Sequence, residues 1–196
     1  MLKIGITGGI GSGKTTICRI FETLGIPVYY SDIRAKILMV ENPALIASIK
    51  KAFGEAAYLK DGSLNRQHIA QIAFNDKSKL AELNAIVHPA VFQDGNEWAE
   101  MQEEVPYTLK EAALIFEGGG QKFLDKVITV FAPKEIRIQR VVERDKTNRD
   151  AVEARVNKQM PDEEKVKLAD FVIYNDGEQS LIQQVLEVHK ELLKLL

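Results

Sequence analysis

The stretch Gly8-Gly9-Ile10-Gly11-Ser12-Gly13-Lys14-Thr15 constrains this chain more than any other. It meets G-x-x-x-x-G-K-[ST] at every fixed position, and it stands between two segments of different period. Residues 2–7 read as a short apolar strand that runs straight into the glycines. From Lys14 onward, Ile17, Ile20, Phe21 and Leu24 recur at i, i+3, i+4 and i+7, one face of a helix that Gly25 and Pro27 bring to an end. Glycines let the backbone wrap closely, so that successive N–H groups point inward as an anion nest. The helix beginning near Gly13 aims its positive end at the same place. A lysine at position 14 reaches β- and γ-phosphate oxygens, and the Thr15 hydroxyl suits Mg²⁺. Strand, loop and helix together imply a nucleoside-triphosphate site made by Gly8, Gly9, Ile10, Gly11, Ser12, Gly13, Lys14, Thr15 and Thr16. ATP with Mg²⁺ is the simplest occupant.

The remaining pattern places that loop in a fold. Ile26–Tyr30 reads as a second strand. Residues 33–104 carry helical patterns, with breaks at Asn42-Pro43, Asp61-Gly62 and His88-Pro89. Strand signals resume over Tyr107–Phe116, closed by Glu117 and three glycines. Val127–Phe131 is a further apolar run, a charged helix covers about 134–145, and Phe171–Tyr174 is a last strand. The C-terminal segment puts Leu181, Ile182, Val185, Leu186, His189, Leu192, Leu193 and Leu196 on one helical face. Short apolar strands alternating with helices predict an α/β fold, a five-stranded parallel sheet covered on both faces. The expected division is a nucleotide-binding core of 1–32 and 105–196, a helical insertion of 33–104, and a small lid of 144–160 within the core. A chain of 196 residues is long enough for one such core and its insertion.

Composition removes several classes of function. The formal net charge is −2, so no bulk positive field recruits nucleic acid or an anionic membrane. No apolar run reaches the length of a membrane span, and the N-terminus meets glycine too soon for a signal peptide. The single cysteine, Cys18, forms no intramolecular disulfide and no cysteine zinc cluster. These features fit a cytoplasmic enzyme of small-molecule substrates with no obligate protein partner.

The loop motif alone leaves two classes open, a kinase or a nucleotide-dependent switch. A guanine-specific switch needs Asn-Lys-x-Asp and Asp-x-x-Gly, and neither string occurs; Thr147-Asn148-Arg149-Asp150 carries Arg where Lys belongs. A kinase needs an acid near the acceptor hydroxyl, cations around the transferred phosphate and a lid that excludes water. Asp32 lies just past the second strand, at the carboxyl edge where parallel sheets bind ligands, and it also fits a helix N-cap. Arg137, Arg140 and Arg144 recur at spacings of three and four and share a helix face. A solvated face paired with nearby acids accounts for most of the cations between 133 and 158. Arg144, at the end of its helix, is the candidate lid arginine. Glu117 fits either a substrate contact or a plain strand-end turn. His88 by itself reads as a packed or capping residue, His68 and His189 as structural, and Cys18 as core.

With these residues in view the chain resembles dephospho-CoA kinases along nearly its whole length. Ile6-Thr7-Gly8-Gly9-Ile10-Gly11-Ser12-Gly13-Lys14 is a narrower match than the general loop motif. Ser31-Asp32-Ile33-Arg34-Ala35-Lys36 is similar to the family's Ala-Asp-x-x-Ala-Arg. Asp61-Gly62-Ser63-Leu64-Asn65-Arg66, Leu83 to Val91 with its His88-Pro89, Leu114-Ile115-Phe116-Glu117, and Gln159-Met160-Pro161 with Ala169 to Asn175 resemble further family elements. The resemblance implies the fold of nucleoside monophosphate kinases and transfer of the ATP γ-phosphoryl to the ribose 3′-hydroxyl of dephospho-coenzyme A. It implies Asp32 as the acid at the hydroxyl, Lys14 and Arg144 at the transferred phosphate, and Asp32, Lys36, Arg66, His88 and Glu117 on the acceptor side. The helical insertion becomes the acceptor-binding domain. The chain departs from the family pattern at Tyr30, Lys36, Ala113 and Arg137.

Overall fold

The strand that feeds the glycine loop, β1 (Leu2–Thr7), is the middle of the sheet. In this computed structural model, which describes residues 1–196 and the side chains of all but Phe74 and Lys77, the strand order is β2-β3-β1-β4-β5. These are β2 (Val28–Tyr30), β3 (Tyr107–Glu111), β4 (Lys126–Phe131) and β5 (Phe171–Tyr174). β3 and β4 flank β1 in parallel register, Ile6 lying opposite Glu111 on one side and Ile128 on the other. A strand enclosed in this way has both faces buried, which is why Ile4, Ile6, Leu109, Ile128, Val130 and Ile173 are sealed from solvent and the strands read as apolar runs.

The chain divides into two compact units, Met1–Tyr29 with Gln102–Leu196, and Tyr30–Met101. In the first, α1 (Lys14–Thr23) buries Ile17, Cys18 and Phe21. It packs on the C-terminal helix α9 (Leu181–Leu193). The buried face of α9 is Val185, Val188 and Leu192, narrower than the sequence pattern predicts. Ile182, Leu193 and Leu196 are exposed, because a helix packed on one side against α1 and the sheet buries a single stripe. Burial pushes the Cys18 thiol pKa up, and the charges of Glu111 and Glu22 push the same way. The helices α6 (Lys134–Asp145), α7 (Arg149–Val156) and α8 (Asp162–Leu168) also belong to this unit, α8 lying on β4.

The second unit holds α2 (Ser31–Glu41), α3 (Pro43–Phe53), α4 (Arg66–Asn75) and α5 (Lys77–Glu100). Asn42 caps α3 by accepting from the Leu45 N–H at 3.0 Å, with Pro43 in the first turn where its missing N–H costs nothing. Asn65 and Asp76 cap α4 and α5 in the same manner. A bidentate pair from Arg34 to Asp94, 2.9 and 2.6 Å, ties α2 to α5. The expected break at His88-Pro89 does not occur: α5 runs 24 residues through Pro89. An interior proline costs a helix about 3 kcal/mol, and burial of Val87, Val91 and Ala99, with α2, α3 and α4 packed along it, outweighs that loss.

The third strand also differs from expectation. It ends at Glu111 rather than Phe116. The apolar residues beyond it are turns, closed by Gly118 N–H to Leu114 O at 3.0 Å and Gly120 N–H to Ile115 O at 2.8 Å. Ile115 and Phe116 are buried there against Val127, so the run is hydrophobic for packing and not for pairing. Glu117 therefore sits in a turn, six residues past the strand end.

Tyr107 of β3 stacks edge-on against Phe21, ring centroids 6.4 Å apart, and its hydroxyl lies 2.5 Å from His189 Nδ1 of α9. Burial lowers the His189 pKa below its ordinary 6.5. The unfolded chain thus takes up a proton that the folded chain resists, so this contact stabilises fully above pH 6.5 and is lost as the pH falls through the depressed value. Thermal denaturation across pH 7.5 to 5 should show a decline that His189→Gln, which cannot charge, makes shallower over the same window.

Candidate active site

The glycine loop leaves the carboxyl end of β1 and turns into α1. Gly8, Gly11 and Gly13 have φ of 145°, 81° and 98°, backbone that side-chain-bearing residues rarely adopt. The turn is closed by Ser12 N–H to Gly9 O at 3.1 Å. Gly13 caps α1 with no side-chain hydrogen bond, and no acid stands in the first turn. The positive end of α1 is thus left to whatever anion the loop encloses. Thr15 and Thr16 are exposed at this end.

Lys14 folds back over its own loop. Its ammonium donates to Gly8 O at 2.9 Å and lies 4.0 Å from Glu111 Oε1. The sequence pattern alone does not single out Glu111. It ends β3 beside β1, its side chain 9% exposed, and no local signal marks it, since it follows Lys110 inside a run that reads as strand to Phe116.

The loop is gripped from outside by residues far along the chain. Asn175, just past β5, donates its amide to Ser12 O at 2.7 Å and accepts from Arg140 at 3.3 Å. Asp162, the first residue of α8, accepts from the Gly9 N–H at 3.0 Å. Gln159 accepts from the Ile10 N–H at 2.8 Å. The Ile10 side chain packs on a cluster of Ile138, Val141, Val152 and Val156 from α6 and α7. Asp162 is paired with Arg137 at 3.2 Å, and both are buried. Burial raises the Asp162 pKa, while the charges of Arg137 and Lys165 pull it back down.

Arg137 is thus a correction to the solvated-face reading of these cations. The rest of that reading describes Arg149, which pairs with Glu135 and Glu153 on the surface. Asn148 of the guanine-reader look-alike is the cap of α7, accepting from the Ala151 N–H at 2.8 Å. Arg144 lies in the last turn of α6, 63% exposed, its Nε 2.8 Å from Asp145. Exposed pairs of this kind contribute about 1 kcal/mol at most, so Asp145 holds Arg144 only weakly.

Glu117 is held from two sides. Its Oε1 accepts from the Met160 N–H at 2.9 Å and from Lys165 at 2.8 Å. Lys165 is fully buried and donates also to Ala113 O at 2.9 Å, a carbonyl that Thr7 Oγ1 shares at 3.1 Å. Within the helical unit, Asp32 and Lys36 lie one turn apart on α2, Arg66 opens α4, and His88 is in the middle of α5; all four are exposed. Asp32 is the second residue of α2 rather than its cap, which is Tyr30.

Comparison with known proteins decides the family. The dephospho-CoA kinase family model matches residues 2–180. The chain is 44% identical over 180 residues to the dephospho-CoA kinase of Salinibacter ruber, covering 90% of each chain. It is 40% identical to that of Chlorobaculum tepidum, covering 98% of this chain and 95% of the other. The chain belongs to the dephospho-CoA kinase family. The solved dephospho-CoA kinase of Campylobacter jejuni superposes with a TM-score of 0.72 at 30% identity, over 98% of this chain and 97% of the other. A shikimate kinase from Bacteroides thetaiotaomicron shares the fold, with a TM-score of 0.53 at 13% identity and coverage of 98% of each chain. The chain is a dephospho-CoA kinase by family, a kinase of coenzyme A biosynthesis built on an α/β fold with a five-stranded parallel sheet.

In this dephospho-CoA kinase family member the buried Lys165 joins α8 to the turn at Ala113 and to Glu117. Lys165→Ala should destabilise the protein by about 1–3 kcal/mol, the cost of leaving hydrogen-bond partners such as Ala113 O unsatisfied, read as a shift of the urea midpoint.

Proposed function

We propose that this chain transfers the γ-phosphoryl of ATP to the ribose 3′-hydroxyl of dephospho-coenzyme A, giving coenzyme A and ADP in the last step of coenzyme A biosynthesis. The observation that carries this reading is the phosphate loop between β1 and α1, in a chain matched to the family along residues 2–180. ATP is bound by the loop of Gly8, Gly9, Ile10, Gly11, Ser12, Gly13, Lys14, Thr15 and Thr16 and the open end of α1, through N–H groups other than those of Gly9, Ile10 and Ser12, which the protein itself takes up. Lys14 leaves the carbonyls of its own loop for the β- and γ-phosphates, and Arg144 leaves Asp145 to neutralise charge on the transferred group.

The donor set fits a hard divalent cation. A threonine hydroxyl at position 15 and the buried Glu111 carboxylate beside Lys14 would hold Mg²⁺, directly or through water. When bound, the ion supplies neutralisation of phosphate charge. The helical unit of Tyr30–Met101 is the acceptor-binding domain in this reading, and residues 144–160 are the lid. Asp32 orients the 3′-hydroxyl and takes its proton. Lys36, Arg66 and His88 bind the acceptor, and Glu117 joins them from the turn where Lys165 and the Met160 N–H fix it. Among the described residues no helix is long and apolar enough to cross a membrane.

The deciding experiment is ADP release from MgATP by purified protein, with dephospho-CoA, adenosine or AMP as acceptor. Stoichiometric ADP and coenzyme A with dephospho-CoA alone are expected; turnover with another acceptor instead would overturn the acceptor assignment. Lys14→Ala should abolish turnover nearly completely. Asp32→Asn should lower kcat by roughly 10²-fold or more, the scale of general acid–base catalysis, with ATP affinity retained by calorimetry. A large loss of ATP affinity at normal kcat is the result that removes Asp32 from the acceptor hydroxyl.

A further inference from the structure

We infer that Arg137 and Asp162 form a clamp that sets the shape of the phosphate loop through Gly9, and that both act as positioning residues for ATP; the inference rests on the ATP-binding reading above. Gly9 is the point of attack. Unlike Gly8, Gly11 and Gly13, it does not have a φ in the left-handed region, so its backbone would accept alanine. What excludes a side chain is the guanidinium of Arg137. A Cβ at Gly9 would overlap Arg137 Nη1 outright, and would stand 2.8 Å from both Arg137 Cζ and Asp162 Oδ1. The glycine is a slot for two charged groups.

Arg137 touches the loop twice. Its guanidinium lies over Gly9, and its own backbone carbonyl lies under Gly11, where an added Cβ would meet it. One residue of α6 thereby spans the turn that Ser12 N–H to Gly9 O closes. Asp162 completes the clamp, accepting from the Gly9 N–H at 3.0 Å and pairing with Arg137 at 3.2 Å. Arg137 is 6% exposed and Asp162 2%. Burying two charges costs several kcal/mol per ion, and such a pair is weak evidence for stability in itself. Its placement, against the backbone of the phosphate loop, points to shape rather than to stability. The turn Gly9–Ser12 leads directly into Gly13–Thr16, so its conformation sets the direction of the N–H groups that follow.

The test is MgATP binding by calorimetry beside steady-state kinetics with dephospho-CoA, on variants whose folding is checked by circular dichroism. Asp162→Ala should raise both the ATP Kd and the ATP KM roughly tenfold, the effect of one charge-assisted hydrogen bond, with the KM for dephospho-CoA unchanged. Asp162→Asn keeps an oxygen for the Gly9 N–H and should recover part of the loss. A steric arm stands independently of that variant. Gly9→Ala should weaken ATP binding by a similar factor in the wild-type background. With Arg137→Gln, which shortens the side chain yet still donates, adding Gly9→Ala should cost clearly less than in the wild-type background, the contact with Asp162 Oδ1 being the part that remains. An unchanged ATP Kd in folded Asp162→Ala, or a Gly9→Ala penalty equal with and without Arg137, would overturn the clamp. A wild-type chain that binds no ATP would overturn the function on which the clamp rests, and the clamp with it.

Discussion

A loop that must leave N–H groups open for phosphate has few left to hold itself together, one of them from Ser12 to Gly9 O, and the rest of its form comes from outside. Here three of its backbone groups are taken up by side chains more than 140 residues away in sequence. Ser12 O goes to Asn175, Gly9 N–H to Asp162 and Ile10 N–H to Gln159. The side chain of Ile10 is anchored as well, in the cluster shared by α6 and α7. The C-terminal third of the chain is thus the mould in which the N-terminal motif is cast.

That mould is built of paired charge, buried or nearly so except at Glu117. At the carboxyl ends of β1 and β3 lie Lys14 with Glu111, then Arg137 with Asp162, then Lys165 with Glu117. Each charge has an opposite within 4.0 Å, which is the condition under which a low-dielectric interior tolerates ions. The parallel sheet explains why they gather there. Its central strands end together at the edge where Thr7, Glu111 and Phe131 stand, and the loops that follow share one layer. A polyphosphate bound at this edge meets fixed dipoles and paired ions already in place, with little left to reorganise.

Much of this was legible in the sequence because it is local. The motif at Gly8–Thr15, the strand before it and the helix after it lie within one short stretch, and periodicity alone placed the strands ending at Phe131 and Tyr174. What was not legible depends on long-range packing. Pro89 carries the ordinary mark of a helix break, and nothing in its neighbours announces that α5 is held on several sides. Leu114-Ile115-Phe116 has the composition of a strand, and a buried turn of the same composition cannot be told from it by period. Asp162 is an ordinary-looking acid among Glu163 and Glu164. Its difference is that it alone of the three faces inward, onto Gly9, and that is a fact of the fold. Arg137 had a surface helix pattern around it; burial came from the glycine loop that it covers.

The state of Cys18 has a practical consequence. The sequence contains one thiol, and it is sealed in the core on α1 with its ionisation suppressed. Since the thiolate is the reactive form, the natural chain presents almost no background to thiol-directed reagents. A cysteine placed on the surface of α5 and another on α7 would therefore take spectroscopic labels selectively. The distance between the helical unit and α7, with and without nucleotide, becomes directly measurable without first stripping the protein of a native cysteine.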